Sequence, residues 1–212
     1  MDVRWFPSPD TPLRNLRLVV ADLETTGFHP RDGDEIIAIG AVVIENRKLC
    51  PDRVFDRLVN PGRPIPPHIT KLTGICEECV SGKSGVVPAL RDFLSFLGGD
   101  CLAGHYIGFD LDFVNYKLEQ LYGLRLKNPV FDTWAIARRL YPTLGSHSLD
   151  ALLHIHGIDA VGRHSALGDA RLTAQLLLRL FTILETRQIY TVGQLSEFLE
   201  HKVDYEIVFP VV

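Results

Sequence analysis

The chain has 212 residues, of which 46% are hydrophobic and 23% are charged, as expected for one compact domain with an ample core. Its formal net charge of −4 argues against a protein that holds long nucleic acid mainly through positive charge. The sequence contains no recognisable secretory signal. Its longest apolar run, IIAIGAVVI at 36–44, is too short to span a membrane, so we expect a cytoplasmic protein.

Strands and helices alternate along the predicted structure. We expect an irregular N-terminal lead-in at 1–14, a main domain at 15–186, and a short C-terminal helix with an apolar tail at 187–212. A turn around 31–34 joins the first two strands and predicts an antiparallel meander. The predicted class is α/β, with a mixed five-stranded sheet flanked by helices. Strands are predicted at 17–24, 35–45, 49–60, 101–104 and 128–131, and helices at 86–98 and 109–122, followed by three more helices.

The first chemically suggestive segment is RLVVADLE at 17–24, a β-rich apolar run that ends in two acids. Side chains two residues apart on a strand share a face, so Asp22 and Glu24 point the same way. A turn-like Thr-Thr-Gly follows, which places both carboxylates at the C-terminal end of the strand. The alternative is a pair of surface acids on a half-exposed strand.

The second segment is GHYIGFDLDF at 104–113, which leads from a short buried strand into a helix. Asp110 lies in or just before the first helical turn, where it could simply complement the helix dipole. Asp112 is two residues further on and points well away from Asp110. Only one of these two acids can therefore face a shared site.

The third segment, HSALGDA at 164–170, opens a helix whose leucines repeat at helical spacing. Asp169 falls in the opening turn and His164 in the loop before it. A histidine satisfied near a helix start is the alternative interpretation. Taken together, the acids of the three segments are hard oxygen ligands suited to Mg²⁺ or Mn²⁺, and the imidazole can accept a proton near neutral pH.

In this order, the three motifs resemble those of the DEDDh group of 3′→5′ exonucleases, which includes ribonuclease T and the proofreading subunit of bacterial DNA polymerase III. The resemblance covers about 15–186 and implies a ribonuclease H-like fold. It also selects Asp110 over Asp112 as the site acid. The supporting segments are PGRPIPPHITKLTGI (61–75), PVFDTWAIARRLYP (129–142) and SHSLDALLHIHGI (146–158).

The resemblance implies a catalytic role for five residues. His164 would be the general base that deprotonates the attacking water. Four acids would bind two Mg²⁺ ions, for which Mn²⁺ can substitute, so that the cations act on both sides of the scissile phosphate. These metal-binding acids are Asp22, Glu24, Asp110 and Asp169.

Six further residues are predicted to contact the substrate: Thr25, Thr26, Phe28, His68, Ile75 and Tyr106. The two threonines would lie beside the 3′-terminal nucleotide, and His68 and Ile75 would line the same pocket. Phe28 directly follows the Thr-Thr-Gly turn and is placed to stack on a terminal base. Tyr106 stands where many members of the group have Asn, so the substrate contacts at this position are expected to differ.

The expected function is metal-dependent 3′→5′ hydrolysis of DNA ends, preferably single-stranded, that releases nucleoside 5′-monophosphates in repair or proofreading. Because the chain is acidic, we expect weak, salt-sensitive and distributive action. Two alternatives are an exoribonuclease that uses the same five residues and a non-catalytic nucleic-acid-binding module. The candidate partners are a polymerase and a second copy of the chain, and the apolar tail VDYEIVFPVV at 203–212 is a candidate contact for a homodimer.

Other polar residues are predicted to be structural. Cys76 and Cys79 have the spacing of half a zinc site, but no second pair lies at a suitable distance, which favours free thiols. Asp132 follows a strand and precedes a helix, as an N-cap does. Asp150 falls in the first turn of a helix that is opened by Ser146 or Ser148.

Overall fold

A computed structural model of the chain describes residues 7–200. The strands are β1 (Arg17–Thr25), β2 (Ile36–Glu45), β3 (Lys48–Leu58), β4 (Cys101–Gly104) and β5 (Val130–Asp132). The helices are α1 (Pro67–Thr73), α2 (Glu77–Val80), α3 (Val86–Leu97), α4 (Gly108–Tyr122), α5 (Thr133–Leu140), α6 (Leu149–Ile155), α7 (Ala166–Thr186) and α8 (Val192–Glu200).

The five strands form one mixed sheet in the order β3-β2-β1-β4-β5. Antiparallel pairing joins β1 to β2 and β2 to β3, and parallel pairing joins β1 to β4 and β4 to β5. This arrangement confirms the predicted meander and the mixed five-stranded sheet flanked by helices. The last strand begins two residues later and ends one residue later than the predicted 128–131, and four helices follow it instead of three.

The alternation of side chains along β1 explains how the sheet holds its two layers of helices. Leu18 and Val20 pack into the core formed with α5, α6 and α7. Val19, Ala21 and Leu23 pack into the opposite core, beneath α3 and α4. Asp22 and Glu24 continue the series of Leu18 and Val20 at intervals of two residues, so strand geometry directs both acids toward the layer that contains α7.

A glycine on β2 allows α7 to approach this edge of the sheet. Gly40 pairs with Asp22 across the β1–β2 ladder. A Cβ atom at this position would lie 2.1 Å from the carbonyl carbon of Ala166 and 2.1 Å from the amide nitrogen of Leu167. Because both atoms belong to the backbone, they cannot move aside as a flexible side chain would. The first turn of α7, which carries Asp169, therefore sits against the sheet only because residue 40 lacks a side chain.

We expect Gly40→Ala to destabilise the protein by about 1–3 kcal/mol, the usual cost of overpacking a core. The same change should lower any activity that depends on Asp169, because it displaces the first turn of α7 from β1. Denaturant unfolding measures the first effect. Gly82→Ala is the matched control, since a Cβ atom there meets nothing within 4 Å. Equal stability of the two variants would contradict this account of α7 docking.

The lead-in and the start of α8 contact each other in the described part of the chain. The amide of Leu13 donates to the carbonyl of Tyr190 at 2.8 Å, and the amide of Val192 donates to the carbonyl of Thr11 at 3.0 Å. The predicted apolar tail at 203–212 lies outside the described residues. Across 7–200, none of the helices has the length and apolar character needed to cross a membrane.

Candidate active site

Three carboxylates from two distant segments meet at the end of β1. One oxygen each from Asp22, Glu24 and Asp169 lie within 4.8 Å of one another. The first two acids come from the strand, and the third comes from the first turn of α7. Carboxylates at these separations repel each other unless a cation lies among them. The structure therefore brings together three of the four acids that the sequence predicted as metal ligands.

The fourth predicted acid approaches from the opposite layer. Asp110 lies in the first turn of α4, and its Oδ1 accepts a hydrogen bond from the amide of Leu23 at 2.8 Å. The paired residues of β1 and β4 end at Val20 and Ala103, so this side chain satisfies a β1 amide beyond the parallel ladder. Asp112 instead lines a surface pocket beside Phe28. This geometry confirms that only one of the two acids faces β1.

Burial and mutual repulsion raise the pKa values of these acids. The pKa of Asp22 is raised well above the usual range. The largest cause is the loss of hydration on burial, and the charges of Asp110 and Asp169 add to it. Loss of hydration and the charge of Asp169 raise the pKa of Glu24 to about 7. Burial raises the pKa of Asp110 to about 8, although the hydrogen bond from Leu23 opposes the shift. The acid cluster is thus unfavourable as a set of bare anions.

These residues fit divalent cations as ligands. Asp169 Oδ1 is buried and has no hydrogen-bond partner within the described residues. A buried, unpaired oxygen on a carboxylate that belongs to an acid cluster is suited to a metal, and oxygen-only donor sets favour Mg²⁺, Mn²⁺ or Ca²⁺ over softer metals. Asp22, Glu24 and Asp169 are therefore the residues that could hold such an ion, with Asp110 beside them.

We expect the protein without metal to lose stability as the pH rises. Glu24 and Asp110 have pKa values of about 7 and about 8 in the fold, against about 4 in an unfolded chain. The folded state therefore binds more protons than the unfolded state between about pH 4 and pH 8, and each pH unit gained in that window disfavours folding. In EDTA, the melting temperature should be higher near pH 5 than near pH 8.

Addition of Mg²⁺ near pH 8 should restore much of the lost stability, because a ligand that binds only the folded state shifts the unfolding equilibrium. Differential scanning calorimetry at both pH values, with and without the metal, measures this. A melting temperature in EDTA that rises from pH 5 to pH 8 would contradict the electrostatic account.

Arg163 is a charged partner of the acid cluster that the sequence analysis missed. Its guanidinium donates to Asp169 Oδ2 and, on the other side, to Asp150 Oδ1 and Oδ2 at 2.6 and 3.1 Å. Its charge opposes the rise in the pKa values of Asp22 and Glu24. Asp150 lies in the first turn of α6, as predicted, and it also anchors this arginine. No spacing rule could have found a bridge between α6, the loop and α7.

The loop that carries His164 is fixed at the start of α7. His164 adopts a left-handed backbone conformation with φ +61°, and its amide donates to Asp169 Oδ2 at 3.3 Å. The Ser165 hydroxyl donates to the carbonyl of Gly162 at 2.9 Å and caps α7 by accepting from the amide of Gly168 at 3.3 Å. A Cβ atom at Gly168 would lie 1.8 Å from the Gly162 carbonyl oxygen. These contacts hold the backbone of His164, whose side chain is exposed, next to a buried metal-ligand candidate.

The residues predicted to contact the substrate occupy different environments. Thr25 and Thr26 are buried, and their hydroxyls hold the turn by donating to the Gly27 carbonyl at 2.7 Å and to Asp34 Oδ1 at 3.0 Å. Phe28 follows this turn and is 71% exposed, with its ring 5.9 Å from that of Phe109. The predicted roles of these residues stay predictions.

The other three predicted contacts lie on separate elements. Ile75 is buried with Ala166 in a small core between α1 and the start of α7, whereas His68 is exposed on α1. Tyr106 follows β4 and is 41% exposed. Nearby, burial lowers the pKa of His105 to about 4, and its Nδ1 lies 2.9 Å from the Thr133 hydroxyl. His105 is therefore neutral near pH 7 and half-buried, and its contact with Thr133 makes it part of the scaffold.

Comparisons with known proteins identify the family to which a chain with this site belongs. The family model described as exonuclease matches residues 19–177. A DNA polymerase III subunit epsilon-like protein of Rhodobacter capsulatus is 43% identical over 91% of this chain. The chain spans 28% of that relative's length. The DNA polymerase III subunit epsilon of Aquifex aeolicus is 36% identical over 76% of this chain and 79% of its own length.

The fold has a solved counterpart. The nuclease domain of 3′hExo, described as a DEDDh family member bound to rAMP, superposes with a TM-score of 0.69 at 19% identity, over 79% of this chain and 92% of that domain. This similarity confirms the ribonuclease H-like fold that the sequence predicted. With the family match over 19–177 and the acid cluster at the end of β1, the chain belongs to the exonuclease family.

Proposed function

We propose that this chain is a metal-dependent 3′→5′ exonuclease that removes nucleoside 5′-monophosphates from the 3′ ends of DNA. The observation that carries the proposal is the convergence of Asp22, Glu24 and Asp169. Asp169 Oδ1 is in addition buried and without a hydrogen-bond partner in the described part of the chain. A binding module gains nothing from carboxylates that raise one another's pKa values. A phosphodiesterase gains a place for cations and, through them, for phosphate.

The residues divide the chemistry among them. Asp22, Glu24, Asp110 and Asp169 would hold the metal, for which Mg²⁺ is the proposed ion and Mn²⁺ the substitute. Bound divalent cations would neutralise the scissile phosphate, favour hydroxide formation from water and stabilise the leaving 3′-oxygen. His164 accepts the proton of the attacking water, because its loop fixes it beside Asp169 and leaves its ring open to solvent.

Arg163 keeps this arrangement in place. Its bridge from Asp150 to Asp169 holds the loop against α6 and offsets part of the negative charge of the cluster. Thr25 and Thr26 form the turn that presents Phe28, whose exposed ring is available to stack on the 3′-terminal base. Ile75 supports the same end of the site through its contact with the start of α7.

The relatives support DNA as the substrate and a polymerase as the partner. Both curated relatives carry DNA polymerase III in their names, and an editing nuclease must receive the 3′ end from a polymerase. Because this chain spans only 28% of the Rhodobacter relative, the polymerase partner and the role in proofreading or repair are proposals. The proposed homodimer contact through the apolar tail lies outside the described residues.

The test uses 5′-labelled single-stranded DNA and RNA oligomers of one sequence, incubated with Mg²⁺, with Mn²⁺ and with EDTA. We expect a one-nucleotide ladder on DNA that requires metal, with shorter products appearing gradually because the acidic chain releases its strand after each cut. If the RNA oligomer were shortened faster than the DNA oligomer, RNA would be the preferred substrate. No cleavage of either strand with either metal would contradict the proposal.

A further inference from the structure

Two aromatic residues and an arginine contact one another beside the carboxyl ends of β4 and β5. Tyr106 and Trp134 meet edge to face, with ring centroids 5.2 Å apart and planes inclined by 73°. The guanidinium carbon of Arg138 lies 4.6 Å from the centroid of the Trp134 ring. We call these three residues the aromatic ridge. Nothing in the chemistry described above uses Trp134 or Arg138.

The topology of the sheet places the ridge next to the site. The strands β1, β4 and β5 are neighbours and run parallel, so their carboxyl ends lie along one edge. Asp22 and Glu24 lie near the end of β1, Tyr106 is the second residue after β4, and Trp134 is the second residue after β5. The ridge therefore extends the row that begins with the acids. Ligands of open α/β sheets bind along this edge.

One carboxylate fixes the backbone at both aromatic residues. Asp132 Oδ1 accepts hydrogen bonds from the amide of Trp134 and from the amide of Tyr106, each at 2.9 Å. The first bond is the predicted N-cap of α5, and the second ties the loop after β4 to that helix.

The backbone at Tyr106 is strained and its ring is open to solvent. Its φ of +57° is a left-handed conformation that a large side chain adopts at a cost. An aromatic residue that is 41% exposed contributes little to the core in return. Strain of this kind persists at ligand-binding positions, where the side chain has to be presented in one direction.

We propose that the aromatic ridge binds the unpaired nucleotides that precede the 3′-terminal one, by stacking bases on Tyr106 and Trp134 and drawing the backbone to Arg138. This inference rests on the proposed function, since it extends the path of the strand away from the acids. Aromatic faces bind bases of any sequence once those bases have left a duplex. The ridge therefore selects single strands, and it includes an arginine on a chain whose net charge is −4.

The experiment compares a substrate that reaches the ridge with one that does not. The p-nitrophenyl ester of thymidine 5′-monophosphate carries one nucleotide, and a single-stranded thymidine decamer continues past the site. Trp134→Leu should raise KM for the decamer about tenfold, the effect of losing one stacking surface. The change for the ester should be no more than about twofold.

Tyr122→Ala is the matched control, because Tyr122 is another exposed aromatic residue at the far end of α4 from Asp110. It should change neither KM. If Trp134→Leu raised KM for the ester as much as for the decamer, the inference would be overturned, since the equal effect would show damage to the acid site. An unchanged decamer KM would overturn it as well.

Binding gives a second readout that does not depend on turnover. Trp134 is one of two tryptophans, so in a Trp5→Phe, His164→Ala protein it is the only fluorophore of its kind. The decamer with Mg²⁺ should quench its fluorescence, and thymidine 5′-monophosphate should not. No quenching by the decamer would contradict the ridge. Quenching in a wild-type chain that hydrolyses neither substrate would instead retain the ridge and reject the proposed exonuclease.

Discussion

Asp22→Ala is expected to lower the rate of 3′-end hydrolysis about 10³-fold, because removal of one of the converging carboxylates forfeits several kcal/mol of metal-dependent stabilisation of the transition state. The same change should raise the melting temperature of the protein in EDTA near pH 8. The pKa of Asp22 is raised by burial and by the charges of Asp110 and Asp169, so an anion at this position opposes folding.

This combination of lost activity and gained stability distinguishes a metal ligand from a structural acid. Rates on a labelled oligomer and scanning calorimetry measure the two effects. Asp112→Ala is the control, since the surface pocket that Asp112 lines contains none of the cluster acids. An Asp22→Ala protein that melts at a lower temperature in EDTA and keeps its activity would contradict the assignment.

His164→Ala is expected to reduce kcat by about 10²–10⁴-fold, the range for loss of a general base. The fold should survive, because the side chain is exposed and the contacts that fix the loop come from the His164 amide, Ser165 and Arg163. Affinity for Mn²⁺ should change little, since the acids are intact. Single-turnover kinetics and titration calorimetry separate the two quantities.

His164→Asn provides the matched variant. Asn tolerates the left-handed backbone at this position but is a poor base, so it should preserve the loop and lose the activity. If His164→Asn turned over nearly as fast as the wild type, the imidazole would have no role in proton transfer. If both variants lost metal affinity, the histidine would act by shaping the site.

The parts of the site that the sequence predicted are those governed by local periodicity. Asp22 and Glu24 share a face because strand side chains alternate, and Asp169 lies one turn into α7 as the leucine repeat indicated. The Asp132 cap is confirmed for the same reason, since a strand that passes directly into a helix needs an acceptor for its free amides.

The parts that the sequence could not predict depend on contacts between distant segments. Arg163 could not be connected to Asp150 without knowing that the loop passes over α6. The role of Gly40 depends on how closely α7 approaches β2, which no pattern within β2 reveals. The start of the last strand was misplaced by two residues because its three residues are too few to display an alternation.

The central claim is that the carboxylates at the end of β1 hold the divalent cation on which hydrolysis depends. Anomalous diffraction from crystals soaked in Mn²⁺, with thymidine 5′-monophosphate as the product, tests it most directly. The account predicts strong anomalous density against Asp22, Glu24 and Asp169, and its loss in Asp22→Ala crystals. Density confined to other parts of the molecule, or none at all at a saturating Mn²⁺ concentration, would contradict it.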